Sequence, residues 1–168
     1  KISELEGESR FWVYSISKET GKIVPGYVTG CKKTGVMEEC VEVHLDNGKV
    51  IKCTPDHRFM LRSGEYLRAD KLDNGAELMP FSSVLNDQLS YSELMNTADV
   101  IKVVKVVEVD WCDVYDLEVD KHHNFAVEQG VFVHNSGIHT LPMGRIVKGM
   151  YTSRYKGGII TAPDYSQL

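Results

Sequence analysis

The dipeptide Asn135-Ser136 puts a side-chain amide one residue ahead of a hydroxyl, with His134 directly before it and His123 upstream. An asparagine amide nitrogen can attack its own backbone carbonyl, closing a succinimide and cutting the chain at the following peptide bond. In an exposed loop this is very slow. It becomes useful where a fold holds the nitrogen against the carbonyl carbon and supplies a proton donor, because positioning alone removes a large part of a barrier. His134 could protonate the departing amine or polarise the carbonyl, and His123 could help deprotonate the amide. Ser136 could accept an acyl group before the cut.

Two further sets of residues belong with these. Thr54 and His57 stand three apart in Gly48-Lys-Val-Ile-Lys-Cys53-Thr-Pro-Asp-His57-Arg-Phe-Met-Leu61, and Asp116 sits in Val114-Tyr-Asp-Leu-Glu-Val119. Taken singly each is ordinary: Asn-Ser is a common surface turn, Thr54 and His57 read as a strand-end cap and a satisfied histidine, and Asp116 and His123 as a solvated acid and a loop histidine. Their joint order and spacing point to chemistry.

The run from Val114 to its Val-His-Asn-Ser136 end resembles the C-terminal splicing motif of inteins, and Thr54-Pro-Asp-His57 resembles the Thr-x-x-His motif of the same family. The resemblance covers roughly residues 1–136 and implies single-turnover, autocatalytic protein splicing. On that reading Thr54 and His57 bind and distort the upstream scissile amide, with the histidine assisting its acyl shift. Asp116 tunes the nucleophiles near the branched intermediate. His123, His134 and Asn135 carry out the cyclisation, and Ser136 holds the upstream host segment as an ester until an O-to-N shift restores a peptide bond. No cofactor is implied for splicing.

An intein also needs a first residue, usually Cys or Ser, at its upstream junction. The sequence departs from the pattern there: Lys1-Ile-Ser-Glu-Leu-Glu-Gly7 resembles the segment that follows the first two strands. A split mini-intein, working in trans with a short N-terminal intein fragment and its host segment, is expected; a truncated fragment of a contiguous intein is the other possibility. On either reading the chain is expected not to splice alone.

The elements that must hold these residues read as strands. Phe11-Trp-Val-Tyr-Ser-Ile-Ser17 alternates and is rich in β-formers, and a Lys18-Glu-Thr-Gly21 turn leads into a second run from Ile23. Cys40–Leu45, the Asp46-Asn-Gly48 turn and Lys49–Cys53 form a hairpin signal. Leu78-Met-Pro-Phe81 suggests a short strand, and Val84 to Met95 a loop or short helix. Val100 to Asp110 is a long β-branched strand, with another from Cys112 to Val119. Many short strands with frequent turns predict an all-β fold, which the resemblance sharpens to the Hint-type, horseshoe-shaped β-fold shared with hedgehog autoprocessing domains. No homing-endonuclease motif lies between the two motif regions.

With 168 residues and 42% hydrophobic content the chain can bury one sizeable core, so one domain over 1–135 and a short tail of mixed structure over 136–168 are expected. No apolar run reaches the length of about 18 to 20 that crosses a bilayer, and no signal peptide is visible. A cytoplasmic location without membrane contact is the expectation. Cys31, Cys40, Cys53 and Cys112 form no C-x-x-C pair and are expected to be reduced packing thiols.

The tail carries Arg145, Lys148, Arg154 and Lys156 against Asp164, a net +3, which leaves 15 cations against 23 acids in the body. Two segments with different partners are implied. Asp164-Tyr-Ser-Gln-Leu168 resembles motif A of family A DNA polymerases, so the tail reads as host protein (C-extein). That resemblance implies a divalent metal, magnesium, on Asp164 and DNA phosphates on the basic residues, only in the spliced host.

Two other functions compete. A non-catalytic β binding module within a polymerase would have no need of His134 before Asn135-Ser136. A hedgehog-like autoprocessing or C-cleaving domain would not require an Asn-Ser end joined to host sequence.

Overall fold

The computed structural model describes residues 2–8, 10–81 and 100–135. The chain divides into two units, 1–137 and 138–168, and every described residue lies in the first. Ser136, Asp164 and the Val84 to Met95 stretch fall outside the described residues.

The described residues are mostly β, in the order β1 (Phe11–Ile16), β2 (Ile23–Leu45), β3 (Val50–Cys53), β4 (Arg58–Met60), β5 (Tyr66–Arg68), β6 (Glu77–Leu78), β7 (Ile101–Val119), β8 (Asn124–Ala126) and β9 (Phe132–His134). One sheet runs β1-β2-β7-β6 with β3 also on β2; a second runs β5-β4-β9-β8, and every pairing is antiparallel. The expected β1–β2 and β2–β3 hairpins both form. In the second, Gly48 takes φ 78° and Asn47 Oδ1 accepts the Lys49 N–H at 3.0 Å, the geometry an Asn-Gly turn favours.

Two expectations are corrected. The break expected at Trp111 is instead a bend within one strand: β7 is continuous, Trp111 takes φ 25°, and β2 pairs on both sides of it, Glu39 with Asp110 and Met37 with Cys112. Ladder partners on either flank hold the strand together across one strained residue. Nor are all four cysteines reduced. Cys40 and Cys112, 72 positions apart, form a disulfide with a Cα separation of 6.2 Å, while Cys31 and Cys53 are free. The β2–β7 register creates that proximity, so spacing along the sequence could not show it.

The two sheets share a core. Val28, Val43, Val103 and Val119 from the first pack in one cluster with Phe59 and Val133 from the second, and Met60, Met79 and Phe132 form a second cluster with Ile16. Fully burying each such side chain stabilises by about 1.5–3 kcal/mol. Phe59 and Val133 are direct strand partners. That contact, within the second sheet, sits two residues from His57 on one strand and two from Asn135 on the other. No described helix is long and apolar enough to cross a membrane.

Candidate functional site

Asn135 follows directly on β9 and is buried, 4% exposed. Its backbone N–H donates to the carbonyl of His123 at 3.1 Å. His123 can present that carbonyl because its backbone is left-handed, φ 54°, a conformation uncommon outside glycine. Strand β8 starts at the next residue, and its pairing with β9 sets Asn124 opposite His134. The β8–β9 hairpin thus returns the chain so that two histidines distant in sequence flank one asparagine.

His134 Nδ1 lies 2.6 Å from the Asn135 carbonyl oxygen, the oxygen of the peptide bond to Ser136. For that contact to be a hydrogen bond Nδ1 must carry the proton, which the neutral ring can do in one tautomer. Burial holds His134 below the usual histidine pKa, the hydrogen bond to Asn135 opposes this, and Lys18, Arg58 and His123 lower it further. Tyr66 packs edge-on against the ring with centroids 4.9 Å apart, and Lys18 Nζ stands over the Tyr66 ring, 5.1 Å from its centroid. The Asn135 Oδ1 is buried and finds no hydrogen-bond partner among the described residues. A buried unpaired amide oxygen costs about 1–3 kcal/mol, so it is the kind of exception found at working sites.

His57 enters from the other side. Thr54 and His57 end a tight turn, with the His57 N–H donating to the Thr54 carbonyl at 3.1 Å and Pro55 preset for the first central position. The turn is pinned by Asp70 N–H to Pro55 carbonyl at 2.9 Å and Ala69 N–H to His57 carbonyl at 2.8 Å. The ring packs edge-on against Phe59, centroids 5.6 Å apart. Burial pushes His57 down to about 4, with Asp56 opposing and the nearby His134 adding to the shift. His57 is therefore neutral at neutral pH, fit to donate or accept a hydrogen bond without a charge.

The structure brings His57, His134, His123 and Asn135 together, with Thr54 joined to His57 through the turn. Asp116 stands on the other sheet. It lies on β7 opposite Lys32, half-buried, with Oδ1 unpaired among the described residues. Burial raises its pKa, Lys32 opposes and Glu118 adds to the rise; its own charge helps raise the Cys31 thiol, after burial. Burial also pushes the Cys53 thiol up to about 12, so it stays protonated at neutral pH. Among the described residues no group of three or more His, Cys, Asp or Glu could hold a metal ion.

One contributor was missed in the sequence. Asn124 looks like the middle of a His-Asn-Phe run, yet it is fully buried and hydrogen-bonded to β1, across more than 100 positions. No short-range signal reports such a contact.

A buried asparagine with a histidine on its carbonyl oxygen, in two packed antiparallel sheets, is an arrangement suited to cutting the chain after that asparagine. A family model for the intein splicing domain matches residues 1–135, and the chain belongs to the inteins, the self-splicing protein elements. Its fold is the Hint-like fold of solved inteins. A variant of the Ssp DnaB mini-intein is 25% identical, with a TM-score of 0.66 over 80% of this chain and 82% of that one. The DnaB intein from Synechocystis sp. PCC 6803 is also 25% identical, with a TM-score of 0.62 over 81% and 86%. Among curated proteins, a DNA gyrase chain of Synechocystis sp. (strain ATCC 27184 / PCC 6803 / Kazusa) is 40% identical over 77 residues, 46% of this chain. Elongation factor 2 of Methanopyrus kandleri is 33% identical over 86 residues, and this chain spans 7% of the length of each of these two.

Proposed function

We infer that residues 1–135 splice in trans, with the first nucleophile supplied by a separate, short N-terminal piece, and that they join host segments of a DNA polymerase. The observation that carries the splicing chemistry is His134 Nδ1 at 2.6 Å from the Asn135 carbonyl oxygen. The host carbonyl moves first onto the upstream Cys or Ser. It then moves onto Ser136 Oγ as an ester. Asn135 Nδ2 next loses a proton and attacks its own carbonyl carbon, His134 holds the developing oxyanion, and the Ser136 amine departs with a proton. The released amine attacks the ester carbonyl, Oγ leaves, and a peptide bond joins the two host segments.

None of the four cysteines suits the upstream role. Cys40 and Cys112 are bonded to one another, and the thiols of Cys31 and Cys53 are both raised. Strand β1 lies at the end of its sheet, with Trp12 64% and Tyr14 51% exposed, an edge suited to strand addition. The acidic body, 23 acids against 15 cations, favours a basic incoming piece. Two curated relatives with unrelated names, each matched over 7% of its length, agree with an insert carried in different hosts. The polymerase assignment rests on Asp164-Tyr-Ser-Gln-Leu168 alone, with Asp164 as magnesium ligand and DNA as partner after splicing.

The test mixes the purified chain with a candidate upstream piece fused to a reporter. Reporter joined to Ser136 supports the reading. Joining by the 168-residue chain alone would refute the need for a partner.

A further inference from the structure

We propose that Asn124 is the positioning residue for Asn135 cyclisation, its side chain clamping the β8–β9 hairpin to β1 in the register the reaction needs. This rests on the splicing chemistry inferred above.

Asn124 Oδ1 accepts the Ile16 N–H at 2.7 Å and Nδ2 donates to the Ile16 carbonyl at 2.9 Å. The β1–β2 ladder leaves those two groups of Ile16 for a neighbour, and a carboxamide carries one donor and one acceptor side by side, as a peptide does. The side chain thus replaces one residue of a neighbouring strand. Nδ2 also donates to the His122 carbonyl at 2.8 Å, and the Asn124 carbonyl accepts from Ser15 Oγ at 2.7 Å. Ser15 reaches it because position 26 is glycine: a Cβ there would collide with the Ser15 side chain and stand 2.8 Å from Val119 Cγ1.

These contacts bear on the reaction because of what adjoins Asn124. It is 0% exposed and lies opposite His134 in the β8–β9 pairing. One residue earlier, His123 holds the Asn135 N–H. The Thr54–His57 turn is fastened elsewhere, to Asp70 and Ala69. Loosening the clamp should therefore misplace His134, His123 and Asn135 together while leaving the upstream half of the site in order. Aspartate lacks both donors, serine cannot make the paired contact, and glutamine is one methylene too long, so asparagine is the residue that fits.

The experiment compares Asn124→Asp, Asn124→Ser and Ser15→Ala in the full chain mixed with its N-terminal piece, using Asn135→Ala as control. Tail release reads the downstream step, and thiol- or hydroxylamine-induced release of the upstream host segment reads the other. Hydrogen exchange is followed at the Asn135 and Ile16 amides. Each Asn124 variant is expected to slow tail release by about 10- to 100-fold, with upstream cleavage changed by less than about threefold and exchange faster at those two amides. Ser15→Ala should move the same readouts less, and it serves if the Asn124 variants do not fold. Equal loss of both half-reactions in step with a falling Tm, or unchanged tail release in any folded Asn124 variant, would overturn the clamp. Tail release from Asn135→Ala as fast as wild type would instead overturn the splicing chemistry beneath it.

Discussion

The Nδ1 atom of His134 sits 2.6 Å from the carbonyl oxygen of Asn135, the residue that follows it. His134 is the last residue of β9 and Asn135 the next, so the contact spans the end of the strand. The His123 carbonyl accepts the Asn135 N–H at 3.1 Å, one step beyond the Asn124–His134 pair, and so holds Asn135 in the β8–β9 register. With the proton on Nδ1, the oxygen that the cyclisation proposed above would charge has its donor in place beforehand.

Removing the Asn135 amide should abolish release of the tail, and removing the His134 ring should slow it. Asn135→Ala is expected to show no release, and His134→Ala a loss of about 100-fold, the usual size for one lost oxyanion donor. Mass spectrometry of the chain after long incubation with its partner reads both. Unchanged release in Asn135→Ala would remove that residue from the mechanism.

His57 should separate the two half-reactions. With its ring beside the Thr54 turn and its pKa pushed down to about 4, His57→Ala is expected to block the upstream acyl shift while some cleavage at Asn135-Ser136 persists. Loss of both reactions in a folded variant would show that the halves are not separable at this residue.

The same histidine gives stability a pH dependence. Unfolded, it binds a proton below about 6.5; folded, it does so only near 4. The unfolded state therefore gains protons first, and its contribution to stability is fully present above 6.5 and lost as pH falls toward 4. The loss is at most about 3.4 kcal/mol, at 1.36 kcal/mol per unit, and less because the residue keeps some exposure. Urea titrations of wild type and His57→Gln should diverge over that window, and parallel curves would count against the buried neutral histidine.

Tail release should accelerate as pH drops through a midpoint below the ordinary histidine range. Burial lowers the His134 pKa, so its ring is neutral near pH 7 and gains a charged, stronger hydrogen bond only on acidification. Single-turnover rates of the downstream step against pH check this, and a profile unchanged by His134→Gln would assign the dependence elsewhere.

The Cys40–Cys112 bridge closes a separation of 72 residues, for which the loop-entropy account gives about 4 kcal/mol. Reduction or Cys112→Ser should lower the Tm while leaving tail release at low temperature within about twofold, since both cysteines lie on the β2–β7 ladder rather than at Asn135. Thiol titration after unfolding without reductant should find two of the four cysteines reactive. Four would contradict the bridge.

Much of this protein is local and was legible in the sequence. Alternating β-formers around Asp46-Asn-Gly48 determine a hairpin, because turn chemistry and side-chain period act over a few residues. The order Thr54, His57, His123, His134, Asn135 determines which chemistry is available. What only the tertiary structure decided is where those residues meet. The packing of Phe59 and Val133 brings His57 to His134, the β2–β7 register carries β7 through Trp111 and joins Cys40 to Cys112, and the Asn124 carboxamide ties β8 to Ile16. Each depends on contacts between residues far apart in sequence, whose energy is collected only once the chain has closed the loops between them, so no window of neighbouring residues contains it.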